Sequence, residues 1–175
     1  MRKHILLTAL VASAITLLPQ ARQPGPAIQI PPSLRHEHEA IHHALEEATR
    51  APGRVGAAAK ELATVLHPHF VREQEIALPP LGLLAPLAAG KRPAEAASVL
   101  AMTDALRKEL PRMLEEHTRI KAAVAKLREA AKVEKVSQVE RLADDLAHHA
   151  LSEEEVLYPA AIVVGDLVRA QLKRP

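Results

Sequence analysis

The chain has 175 residues, enough for one domain of common size, and no cysteine. Disulfides, thiolate zinc sites and iron–sulfur clusters are thereby excluded, which leaves nitrogen and oxygen ligands and, on ligand type, iron, manganese, zinc or copper. With 23 Lys and Arg against 21 Asp and Glu, the net charge of +2 supplies no basic face of the kind that nucleic acid requires.

The N-terminus opens with Arg2, Lys3 and His4, runs through an apolar stretch from Ile5 to Leu18, and gives way to the proline-rich segment PQARQPGPAIQIPP. That is the order of a secretory signal peptide, and the apolar run is shorter than the roughly 20 residues a spanning helix needs. The expectation is a signal peptide or N-terminal anchor over 1–21, a proline-rich linker over 22–32, and a domain over 33–175. Ala12-Ser13-Ala14 and Pro19-Gln20-Ala21 are the two cleavage motifs. Removing the segment takes away Arg2 and Lys3 and no acid, bringing the 23 basic residues level with the 21 acidic ones. A periplasmic or secreted protein is expected, with membrane contact only if the segment stays attached.

Ser33 is placed to cap a first helix ending near Arg50, before Pro52-Gly53. On it His38 shares a face with Leu34, Ile41 and Leu45, and His42, one turn on, also reads as inward, with His43 as its rival. A second helix fits Val55 to Leu78, stopped by Pro79-Pro80. It carries His69 beside Leu62, Leu66 and Ile76, with Glu73 one turn later. Pro68 lies inside it and removes the amide bond to the Thr64 carbonyl, so a kink is expected at the site. The stretch LGLLAPLAAGKRP has no periodicity and reads as a long connection. Pro93 then starts a third helix, from about Ala94 to Ala131, which Pro111 should bend and in which His117 sits with Met113, Ile120 and Val124. Ser137 and Glu140 form a capping box for a fourth helix to about Leu157, with His149 beside Leu142, Leu146 and Val156 and Glu153 one turn on. Beyond Pro159 a short fifth helix is expected. Nothing alternates like a strand, so the class is all-α.

One pattern therefore occurs twice: His on one helix, His-x-x-x-Glu on the next. The two histidines are 31 residues apart in the first copy (His38, His69) and 32 in the second (His117, His149), and a proline follows ten residues after the second of each pair. Burying four histidines and two carboxylates without partners would cost about 1–3 kcal/mol each. Metal ions supply the missing partner, and six such ligands on four helices suit a two-metal site inside a bundle. His36, His43, His67 and His148 fall off the inward face. Tyr158, nine residues past His149 and about 13 Å along the helix, reads as a packing residue.

The segments EHEAIHHAL, HFVREQEIALP, EEHTRIKAAV and HHALSEEEVLYP, with the helices around them, resemble the hemerythrin-like, HHE cation-binding family over about residues 33–160. The resemblance implies an antiparallel up-down four-helix bundle with a short C-terminal helix, holding two non-heme iron ions and a bridging oxygen. It also implies that His38, His69, His117 and His149 are terminal ligands, Glu73 and Glu153 bridges, and His42 a fifth histidine. The pattern departs from that of the oxygen carriers, which pair their histidines on the third helix and set the last carboxylate five residues after its His, at Glu154 here. Glu153 is preferred because it repeats Glu73. The function so implied is an exported carrier, scavenger or sensor of O2 or another diatomic gas such as NO. The alternatives are a di-iron oxidase, peroxidase or NO-handling enzyme, and an iron or zinc buffer.

Overall fold

A computed structural model describes residues 28–173, and the expected export segment over 1–21 lies outside the described residues. Four helices form the bundle: α1 (Pro32–Thr49), α2 (Gly53–Ile76), α5 (Leu100–Glu134) and α6 (Ser137–Ser152). Two short helices, α3 (Leu78–Leu81) and α4 (Leu84–Ala88), and a 3-10 turn at Ala96–Val99 carry the chain from α2 to α5. A π turn, Glu153–Leu157, links α6 directly to α7 (Tyr158–Leu172). The described residues contain no strand and no helix long and apolar enough to cross a membrane.

The four helices pack in the order α1, α2, α5, α6, with α6 closing on α1. Cross-helix partners run in opposite senses along every neighbouring pair. Lys126 meets Glu61 while Arg72 meets Glu109, Arg128 meets Asp144 while His117 meets Glu154, and Glu37 near the start of α1 meets His149 near the end of α6. The bundle is thus up-down and antiparallel. One core, including Ile41, Leu45, Leu62, Leu66, Phe70, Leu127 and Leu146, fills the half at the loops; Ile76, Leu106, Met113 and Tyr158 fill the other half. At 35 residues α5 outruns α1 and α2, and its first turns pair with α7 through Arg107–Asp166 and Asp104–Arg169. Gly165 makes that crossing possible, because a Cβ there would run into the Thr103 side chain.

Several boundaries differ from expectation for local reasons. Pro31, with its φ of −50°, precedes α1, so Ser33 is already helical and caps nothing. The turn between α5 and α6 has only two residues, with Lys135 left-handed at φ 57°. Ser137 is therefore helical too, and the Ser137/Glu140 capping box does not form. The amides of Val139 and Glu140 bond instead to the Val136 carbonyl, at 3.0 and 3.2 Å. Both α2 and α5 run through their prolines. Pro68 and Pro111 face solvent, where water can satisfy the carbonyls they release. The long connection contains helical turns, and α5 begins at Leu100 because 3-10 geometry takes the residues before it. The fourth helix does not stop near Leu157; it loosens into the π turn and continues.

Candidate metal centre

Midway along the bundle the four helices converge on a polar cluster. His38 from α1, His69 and Glu73 from α2, His117 from α5, His149 from α6 and Glu153 from the π turn are each 2% exposed or less. They divide into two groups that share one residue: His69, Glu73, His117 and Glu153 in the first, His38, His149 and Glu153 in the second, with donor atoms within 4.8 Å of one another in each. Glu153 turns one oxygen toward each group. Its Oε2 is 3.4 Å from His117 Nε2, and its Oε1 is 2.9 Å from His149 Nε2 and 3.5 Å from His38 Nε2. Glu73 Oε1 lies 3.4 Å from His69 Nε2. Donors roughly 2.1 Å from one ion stand about 3 Å apart when at right angles, so these separations have the size of edges in a coordination shell.

A second layer orients the rings. The Nδ1–H of His69 donates to Glu116 (2.9 Å), that of His117 to Glu154 (2.9 Å) and that of His149 to Glu37 (3.1 Å), which leaves each Nε2 facing the cluster. Arg112 Nε holds Glu116 at 2.8 Å and Lys121 holds Glu154 at 2.7 Å. His38 is the exception: its Nδ1 has no partner among the described residues, and its ring stacks on Phe70 with centroids 4.3 Å apart. The outer carboxylates were missed in the sequence, although a signal exists. Glu precedes His in both copies, as Glu37-His38 and Glu116-His117, and each Glu serves the His of the other copy.

The electrostatics are those of a site short of positive charge. Burial and the nearby Glu153 charge raise the Glu73 carboxyl above its ordinary range. Burial would also raise Glu153, but the imidazoles of His117, His149 and His38 hold it well below that range. Burial would lower His149, yet Glu153 and Glu37 push it up to about 9, and Glu73 and Glu116 likewise raise His69 against its burial. Among the described residues, His38 Nδ1 and Nε2, Glu73 Oε2, His149 Nε2 and Glu153 Oε1 are buried without a hydrogen-bond partner. Buried polar atoms are rarely orphaned. Apart from the outward-facing His38 Nδ1, these orphans face the cluster, so the donor set fits cations.

Three expectations need correction. His42 is exposed, outside both groups, with its Nε2 3.3 Å from His67 Nδ1 on the rim of a surface cavity of about 250 Å³. The buried stripe of α1 is narrow, running through His38, Ile41, Leu45 and Ala48, and it leaves His42 on the flank toward α2. His43 is exposed as well, so neither rival enters the site, whereas Glu153 enters and Glu154 stays outside. Val156, expected on the inward face, is 59% exposed, and Tyr158, expected to pack away from the ligands, is fully buried with its hydroxyl in the cluster. The π turn inserts residues at less rotation each, which moves the inward stripe onto Tyr158, Ala161, Val164 and Val168. Tyr158 then points back along its helix and donates its hydroxyl to Glu73 Oε1, with Oη 3.1 Å from His117 Nε2 and 3.3 Å from His69 Nε2. Burial and the two carboxylates raise its hydroxyl above the usual tyrosine range.

The profile of the hemerythrin HHE cation binding domain matches residues 29–161. No curated protein and no solved structure matches the chain.

Proposed function

The chain belongs to the hemerythrin HHE cation-binding domain family, and from that premise we propose that it is an exported non-heme di-iron protein that binds O2 or another small diatomic gas. The observation that carries the reading is Glu153, whose two oxygens face two separate histidine sets. One tetrahedral ion takes four donors, and the cluster offers more than that in two groups. His69, His117, His38 and His149 would serve as terminal ligands and Glu73 and Glu153 as bridges. An iron pair held by these residues would supply reversible coordination of a diatomic gas.

The chain's own residues do the rest. Glu116, Glu154 and Glu37 keep three imidazoles aimed inward, and Phe70, 1% exposed, lies against His38 and His149, with ring centroids at 4.3 and 5.7 Å. That apolar cover excludes water and offers no proton donor to a bound ligand, which favours release of the gas over turnover. The N-terminal order of basic, apolar and proline-rich sequence supports export.

The test of the metal reading is metal content and visible absorption of the anaerobically reduced protein before and after air. About two iron atoms per chain with a charge-transfer band that reverses on removing oxygen is the expected result. One zinc per chain, with no band after iron loading, refutes it. Export is tested separately by intact mass from cell fractions: loss of at least residues 1–14, or an intact chain facing outward from the membrane, supports it, and an intact soluble cytoplasmic chain refutes it.

A further inference from the structure

The histidine-carboxylate cluster has a seventh polar group in its interior, the Tyr158 hydroxyl, in contact with three of its donors. We propose that the Tyr158 oxygen is itself a metal ligand, completing the group formed by His69, His117, Glu73 and Glu153 and supplying the fifth terminal donor that no histidine provides. The inference rests on the two-metal reading above.

Three observations carry it. Tyr158 Oη touches three other donors at once: it hydrogen-bonds Glu73 Oε1 and lies 3.1 Å from His117 Nε2 and 3.3 Å from His69 Nε2. Those are the spacings of neighbouring positions around one ion, about 3 Å for bonds of roughly 2.1 Å. Second, a nitrogen bound to a cation has neither a lone pair nor a proton left to offer. Once His69 and His117 bind through Nε2, both contacts of the hydroxyl with them cease to be hydrogen bonds and persist only as edges of a shared shell. Third, the residue is 0% exposed, so its hydroxyl lies in the same buried interior as the other donors and not at the solvent boundary. On binding, the phenolic proton leaves to solvent and the oxygen bonds the ion.

The two-fold repeat shows why only one half gains this donor. Tyr158 follows His149 by nine residues, and the residue nine past His69 is Leu78, which is buried and apolar. The His69/His117 group therefore has five protein donors with Tyr158, whereas the His38/His149 group has its two histidines and the shared Glu153. The unfilled position, and with it the exogenous ligand, belongs to the His38/His149 half beneath Phe70.

Tyr158 is the only tyrosine in the chain, so isotopic labelling is unambiguous. Full-length protein is loaded with ferrous iron, oxidised to the ferric state and excited within its visible absorption, with and without ring-deuterated tyrosine. The expected resonance Raman spectrum contains phenolate ring modes that shift on labelling, and Tyr158→Phe loses those modes and the associated absorption while keeping its iron. Protein with about two ferric ions per chain and no label-sensitive ring modes overturns the proposal and leaves the two-metal reading standing. Protein that binds no iron overturns both. The labelled wild-type chain decides the matter even if Tyr158→Phe does not fold.

Discussion

The outer carboxylates allow a graded test of how the bundle holds its ions. Glu116→Gln keeps the shape of the side chain but removes the charge that receives the His69 Nδ1 proton at 2.9 Å. Loss of such a partner costs about 10–100-fold in metal affinity, or roughly 1.4–2.7 kcal/mol. Glu116 and Glu154 have side chains 18% and 21% exposed, whereas Glu37, the partner of His149, is 47% exposed. Solvent screening weakens an interaction at that exposure, so Glu37→Gln should cost less than about tenfold. The assay is competition for metal with a chelator of known affinity, with circular dichroism to confirm the fold. Equal losses for Glu37→Gln and Glu116→Gln, or no loss for either, would refute the assignment of these carboxylates to ligand positioning.

His42→Ala should retain the full metal content and spectrum, because the side chain is exposed and outside the cluster, whereas Glu73→Ala should lose metal and stability together; elemental analysis and thermal melting separate the two. Glu134→Ala should lower stability by about 1 kcal/mol, since that carboxylate accepts the Arg54 and Val55 amides at 2.6 and 3.2 Å and so caps α2. The loss should be the same with and without metal, and a drop seen only in the loaded protein would argue against it. A cation must displace the proton of His149, which is raised to about 9, so apparent affinity should climb between about pH 7 and 9 by up to about tenfold per unit for this proton, then flatten. The sign reverses for the metal-free fold: this group's contribution is complete below about 6.5 and is lost as pH rises through about 9. Affinity that is flat across that window in the chelator assay would contradict it.

The helices and the six buried histidines and carboxylates were legible in the chain because the signal is local. A helical turn of 3.6 residues puts His69, Glu73 and Ile76 on one face whatever stands opposite, and the repeat of that face in the second copy marks it as interior. The bundle's class follows from the same periodicity and from prolines and short turns between the helices. Other features depend on what a neighbouring helix offers. His42 sits one turn from His38 and, by spacing alone, reads as inward; the narrow buried stripe of α1 leaves it in solvent. Glu116 reaches His69 and Glu37 reaches His149 across helix boundaries, at separations of 47 and 112 residues that no single-helix pattern encodes. The exposure of Val156 and the inward turn of Tyr158 onto the cluster both follow from the π turn at 153–157. A π turn breaks the very periodicity from which helical phase is read, and here the packing of α7 against α5 accompanies it, so these placements were decided only when the whole bundle came together.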